Sequence, residues 1–232
     1  MGRHLTAEEV EQEYLEAMGP ELGRIYGLLS NECQALYIDW AEYKVLFGTN
    51  PERIDLLNET APEFFGRLQD TLMERVLLQV ARLMDPIESG GKGKENATLR
   101  RLPQMVVPVI KSKIGDLLKI AEVKCKPSRD WRTRRIAHTD LDLAMKGSAR
   151  PLDPVSRSSV GSAIEAIAAV LNEVDSHYRD GGTVGYEYFH SPLGAIALLD
   201  VLKDGVGARN AEMERMMSGQ PSPEDFAQKQ GI

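Results

Sequence analysis

The sequence predicts an all-α protein, a helical bundle with two long antiparallel helices at its heart. Three observations carry that reading. Apolar residues recur at three- and four-residue steps over most of the chain, and no alternating strand-like run stands out. The strongest breakers (Gly19-Pro20, Pro51, Pro62, Asp85-Pro86) fall between the periodic stretches, where helices end and restart. Hydrophobic residues make up 42% of the 232, enough for a buried core and too many for a disordered chain.

The elements follow in order. Thr6 to Glu9 reads as a capping box that opens an acidic helix within residues 1–19, bearing Glu8, Glu9, Glu11, Glu13 and Glu16. Pro20 suits the first turn of a long helix ending at Gly48. Its apolar face is Leu22, Ile25, Tyr26, Leu29, Cys33, Leu36, Trp40 and Tyr43. After a short helix at Pro51, a second long helix starts at Pro62, with Phe64, Phe65, Leu68, Leu72, Val76, Val80 and Leu83 expected inward. A short connection between two long amphipathic helices predicts an antiparallel pair.

Residues 86–96 are polar and glycine-rich and read as a flexible surface loop. Gly93-Lys94 lacks the upstream glycine and the following Ser/Thr of a phosphate-cradling loop. A basic helix is expected over 108–125, with Val109, Ile110, Ile114, Leu117, Leu118 and Val123 available for packing. Pro127-Ser128 is expected to break it, the arginine segment beginning a new turn. Beyond a linker at 147–154, residues 157–179 form another helix with Val160, Ile164, Ile167, Leu171 and Val174 inward; His177 lies near that stripe. An aromatic loop, Tyr186 to His190, leads to a helix at about 192–205. The whole reads as one domain over 1–207, with a polar, helix-prone tail at 208–232 that frays at its end.

Charge and cysteine usage narrow the function classes. Net charge is −7, which argues against indiscriminate nucleic-acid binding by the whole surface. Yet residues 92–135 carry thirteen Lys/Arg against four Asp/Glu, a local +9 that leaves −16 elsewhere. Cys33 and Cys125 stand far apart without ligand spacing, so neither a disulfide framework nor a zinc site is expected. That usage fits the cytoplasm. No run of 18 apolar residues offers a membrane span, and no cofactor motif is found.

The densest cationic run is the one that suits chemistry: Arg129, Trp131, Arg132, Thr133, Arg134 and Arg135, followed by His138 and Asp140. An imidazole moves protons near neutral pH, and a guanidinium meets two phosphate oxygens at once. Metal-free RNA cleavage needs those groups, with positive charge near the developing phosphorane. His138 is the candidate for proton transfer and Arg132 for clamping phosphate. Arg129, Thr133, Arg134 and Arg135 are candidates for flanking phosphate contacts, and Trp131 for stacking on a base. The structural alternative pairs the arginines with Asp130, Asp140 and Asp142. On a regular α-helix Arg132 and His138 stand about 120° and about 9 Å apart. One protomer's pair would not converge on one phosphate, whereas a two-fold dimer could bring two such pairs into one cleft.

The run from Arg132 to Asp140 resembles the signature of the U-type abortive-infection branch of the HEPN superfamily, which reads approximately Arg-Asn-Lys-x-x-Ala-His-x-Asp. Weaker similarity extends over the helix around Trp40, the segment Ala81 to Asp85, the helix closing on Asn172 to Tyr178, and Leu198 to Gly205. The resemblance implies a helical bundle that forms a homodimer. It implies a metal-independent endoribonuclease acting as a toxin or phage-defence effector, restrained by an antitoxin or other regulatory protein. Arg132 and His138 match the motif arginine and histidine. Thr133 departs from it, standing where the family usually has Asn, Asp or His. A non-catalytic module that binds a nucleotide, RNA or protein partner through the basic segment is the alternative.

Overall fold

The structure, a computed structural model, describes residues 6–48, 50–89, 93–137, 140–145, 150–179, 184–188 and 193–226. Helices dominate: α1 (Ala7–Met18), α2 (Pro20–Phe47), α3 (Pro51–Thr60), α4 (Pro62–Leu83), α5 (Leu102–Met105), α6 (Pro108–Trp131), α7 (Leu141–Ala144), α8 (Arg157–Tyr178) and α9 (Ala195–Met217). The glycine-rich stretch expected as an open loop carries a two-residue antiparallel ladder, Glu88 opposite Glu95 and Ser89 opposite Lys94. Among the described residues no helix is long and apolar enough to cross a membrane.

The chain divides into two compact units, Met1–Trp40 with Leu72–Phe189, and Ala41–Thr71 with His190–Ile232. In the first, the long helices α2 and α4 run antiparallel, as their ion pairs show: Glu32 meets Arg82 and Asp39 meets Arg75. Helices α6 and α8 are a second antiparallel pair, tied by Lys113 to Glu173 at 2.6 Å and by the Val107 N–H donating to the Tyr178 hydroxyl at 3.0 Å. The capping box at Thr6 and Glu9 forms as the sequence predicts. Helix α1 packs so closely on α2 that a Cβ at Gly23 would lie 2.6 Å from the Tyr14 carbonyl oxygen.

The core follows the predicted stripes closely. Along α2, Leu22, Tyr26, Leu29, Cys33, Leu36 and Trp40 are buried, and along α8 Val160, Ile164, Ile167, Leu171 and Val174 are buried. Burial pushes the Cys33 thiol up to about 12, which makes it unreactive. The aromatic loop contributes Tyr186, which is fully buried and hydrogen-bonded to Ser30 at 2.9 Å.

Several expectations fail for identifiable reasons. Helix α6 does not stop at Pro127 but continues to Trp131. Its inward positions, Ile110, Ile114, Leu118, Ala121, Cys125 and Ser128, keep one face across the proline, so packing outweighs the lost N–H. The same register turns Val109 and Val123 outward. Phe64 is exposed because its neighbour Phe65 takes the inward position. His177 is exposed too, beyond the buried stripe of α8.

In the second unit, α9 packs on α3, and Arg209 and Asn210 reach Glu59. Glu42 accepts from the Ala195 N–H and so caps the start of α9. Helix α9 runs past the end expected near residue 205, because Ala208, Arg209, Ala211, Glu212 and Met213 in the helix-prone stretch are strong helix formers that carry it to Met217.

Candidate functional site

Where α6 ends, the chain changes its winding. Residues Arg132–Ile136 form a π-helical turn, closed by the Ala137 N–H donating to the Arg132 carbonyl at 2.8 Å. The Asp140 N–H then reaches back to the Arg134 carbonyl at 3.1 Å. Single π turns gather at functional positions because they re-aim side chains that an α-helix would spread. His138 itself lies outside the described residues.

Arg132, Arg134 and Arg135 each have a carboxylate. Arg132 donates to Asp85, which follows α4 and is buried. Asp85 is fixed in turn, since its own carbonyl accepts from the Thr98 hydroxyl at 2.8 Å. Arg134 lies between Asp130 at 3.6 Å and Asp140 at 3.5 Å. Asp140 caps α7 by accepting from the Leu143 N–H at 3.0 Å; that bond and Arg134 hold its carboxyl below the usual range. Arg135 meets Glu74 at 3.6 Å and covers the Trp131 ring at 5.1 Å. The Trp131 N–H donates to the Asp153 carbonyl at 2.8 Å, so the indole is held at one edge and covered on one face.

The other side of this helix end is different. Lys126, Arg129 and Thr133 stand at i, i+3 and i+7 and line a shallow surface pocket of about 280 Å³. Arg134 and Arg150 complete its cationic wall, and Asp130 and Asp153 are its acids. Among the described residues Lys126 and Arg129 have no carboxylate partner. Below Arg129, burial pushes the Cys125 thiol up to about 12 despite the guanidinium's opposing pull.

The segment singled out by sequence thus serves two faces. Arg129, Thr133 and Arg134 meet at the pocket, whereas Arg132 turns to Asp85 and Arg135 to Glu74 and Trp131. Of the three acids the sequence offers as partners, Asp130 and Asp140 meet Arg134, and among the described residues Asp142 meets no arginine; Asp85, Glu74, Asp153, Lys126 and Arg150 go unannounced. Lys126 was within reach of spacing alone, three residues before Arg129. The others arrive from distant parts of the chain, and no local pattern announces them. Among the described residues no three His, Cys, Asp or Glu side chains are grouped as metal ligands.

A sequence profile of the HEPN_AbiU2 family, described as AbiU2, matches residues 19–194. Neither the curated proteins nor the solved structures yield a match.

Proposed function

Since this chain belongs to the AbiU2 family of HEPN proteins, we propose that this abortive-infection module is a metal-independent endoribonuclease that cuts RNA by internal attack of the 2′-hydroxyl. One observation carries the reading. Arg132 is held by the buried Asp85 on a turn whose closing bond ends at Ala137, the residue before His138. A guanidinium fixed from behind keeps its remaining N–H groups for phosphate and loses little entropy on meeting it. In the proposed reaction Arg132 stabilises the phosphorane and His138 moves the proton between the 2′-hydroxyl and the leaving oxygen. The working form in this reading is a cytoplasmic homodimer that unites two such pairs, restrained by an antitoxin or other regulatory protein.

The test compares the wild type with Arg132→Ala, His138→Ala and the double variant on labelled total RNA, with EDTA throughout. Cleavage by the wild type alone, leaving cyclic-phosphate ends, is the expected result. Undiminished cleavage by the double variant would overturn it.

A second reading, a binding module without chemistry, is favoured by a specific observation. Arg132, Arg134 and Arg135 are all engaged with carboxylates, and Thr133 replaces the family's usual Asn, Asp or His. Under this reading RNA binding survives His138→Ala and falls when arginines are removed.

A further inference from the structure

Around the end of α6, cations and carboxylates are not evenly matched. Asp130 is saturated: one oxygen accepts from Arg150 at 3.2 Å, and the other accepts from the Asp153 N–H at 2.9 Å and faces Arg134. Asp153 holds Arg150 at 2.5 Å. Both acids are largely covered, with 12% and 17% of their side chains exposed, whereas 60% of Arg150 remains open. The carboxylates therefore orient Arg150 without hiding it. Lys126 and Arg129 add two charges that nothing among the described residues neutralises, and Thr133 adds an exposed hydroxyl donor beside them. Four cations and two acids leave the pocket at about +2, with donors from two separate segments converging on it.

We propose that Lys126, Arg129, Thr133 and Arg150 form a phosphate subsite, separate from Arg132, that takes one phosphate group of a nucleotide or an RNA strand. Six residues along α6 separate Lys126 from Arg132, which sets the two about 120° apart around the axis. A phosphate in the pocket therefore is not the one that Arg132 would clamp. The volume, about 280 Å³, suits a phosphate with part of its sugar and is too small for a folded partner. This inference rests on the basic segment meeting phosphate and not on cleavage, so a chain that binds but does not cut defeats the enzyme reading and leaves the subsite standing.

The experiment measures anisotropy of a short fluorescein-labelled single-stranded RNA on the full chain across a salt series, with AMP as the competing probe. Lys126→Glu and Arg129→Gln should each weaken RNA binding about tenfold, and Lys126→Glu should reduce the salt slope by about 1. The control is Lys124→Glu, which makes the same charge change about 160° away around α6 and should have little effect. Displacement by AMP that Lys126→Glu abolishes identifies a nucleotide as the source of the phosphate; RNA binding insensitive to AMP identifies the strand. Equal weakening by Lys124→Glu, or a wild type that binds neither probe, overturns the proposal. Lys126 is exposed and, among the described residues, has no carboxylate partner to lose, so its replacement tests binding rather than folding.

Discussion

Replacing Asp85 should loosen Arg132, and the size of the effect follows from how covered the pair is. Exposed ion pairs contribute about 0.2–1 kcal/mol, whereas removing one partner of a fully buried pair costs about 3–5 kcal/mol. Here 33% of the Arg132 side chain and 11% of the Asp85 side chain are exposed. Water reaches the guanidinium but scarcely the carboxylate, which places the interaction at about 1–2 kcal/mol. Asp85→Asn keeps an acceptor for Arg132 and should lose about half of that, and Asp85→Ala all of it. The assay is urea denaturation of Asp85→Ala, Arg132→Ala and the double variant. The expected coupling is about 1–2 kcal/mol, a midpoint shift near 0.5–1 M for a typical urea slope. RNA cleavage should fall in Asp85→Ala as well, because a free Arg132 must be ordered before it can hold phosphate. A coupling energy indistinguishable from zero would refute the pair, and with it the account of how Arg132 is aimed.

Three further outcomes follow from the same structure. Gly23→Ala should cost about 2–3 kcal/mol in denaturation experiments, since its Cβ would press on the backbone of Tyr14 and Leu15 rather than on a movable side chain; a neutral result would mean that α1 does not sit on α2. Pro127→Ala should stabilise the chain by about 1–2 kcal/mol by restoring a donor to the Val123 carbonyl, and a lower melting temperature would show that α6 needs its proline. Asp175 is buried, and burial raises its carboxyl pKa against the pull of Arg179. A raised folded-state value means stability that is full below the ordinary carboxylate pKa of 3.8 and declines as pH rises through the folded value. Asp175→Asn should flatten that decline, and an unchanged pH profile between about 4 and 7 would exclude Asp175 as its source.

What the sequence reveals here, and what it hides, divides along one physical line. Helix α8 was legible because each inward residue repeats at three or four positions and the code is local. The same logic found the arginine segment, which is contiguous. It misjudged Pro127, since a local penalty of about 3 kcal/mol is opposed by the burial of Cys125 and Ser128 on either side of it, and α8, on which α6 packs, lies far along the sequence. It also missed what divides the arginines by role. Arg132 differs from Arg129 because Asp85, 47 positions away, reaches the first and, among the described residues, no carboxylate reaches the second. A guanidinium with a buried carboxylate behind it is a positioned charge, and one without is an open charge that any anion can use. Arg132 is aimed at Asp85, just past the end of α4, while Thr133 stays on the pocket side with Arg129. Two neighbouring residues of one motif thereby serve different faces, and for that reason variants of Asp85 and of Lys126 should separate in function although both lie beside the same arginine run.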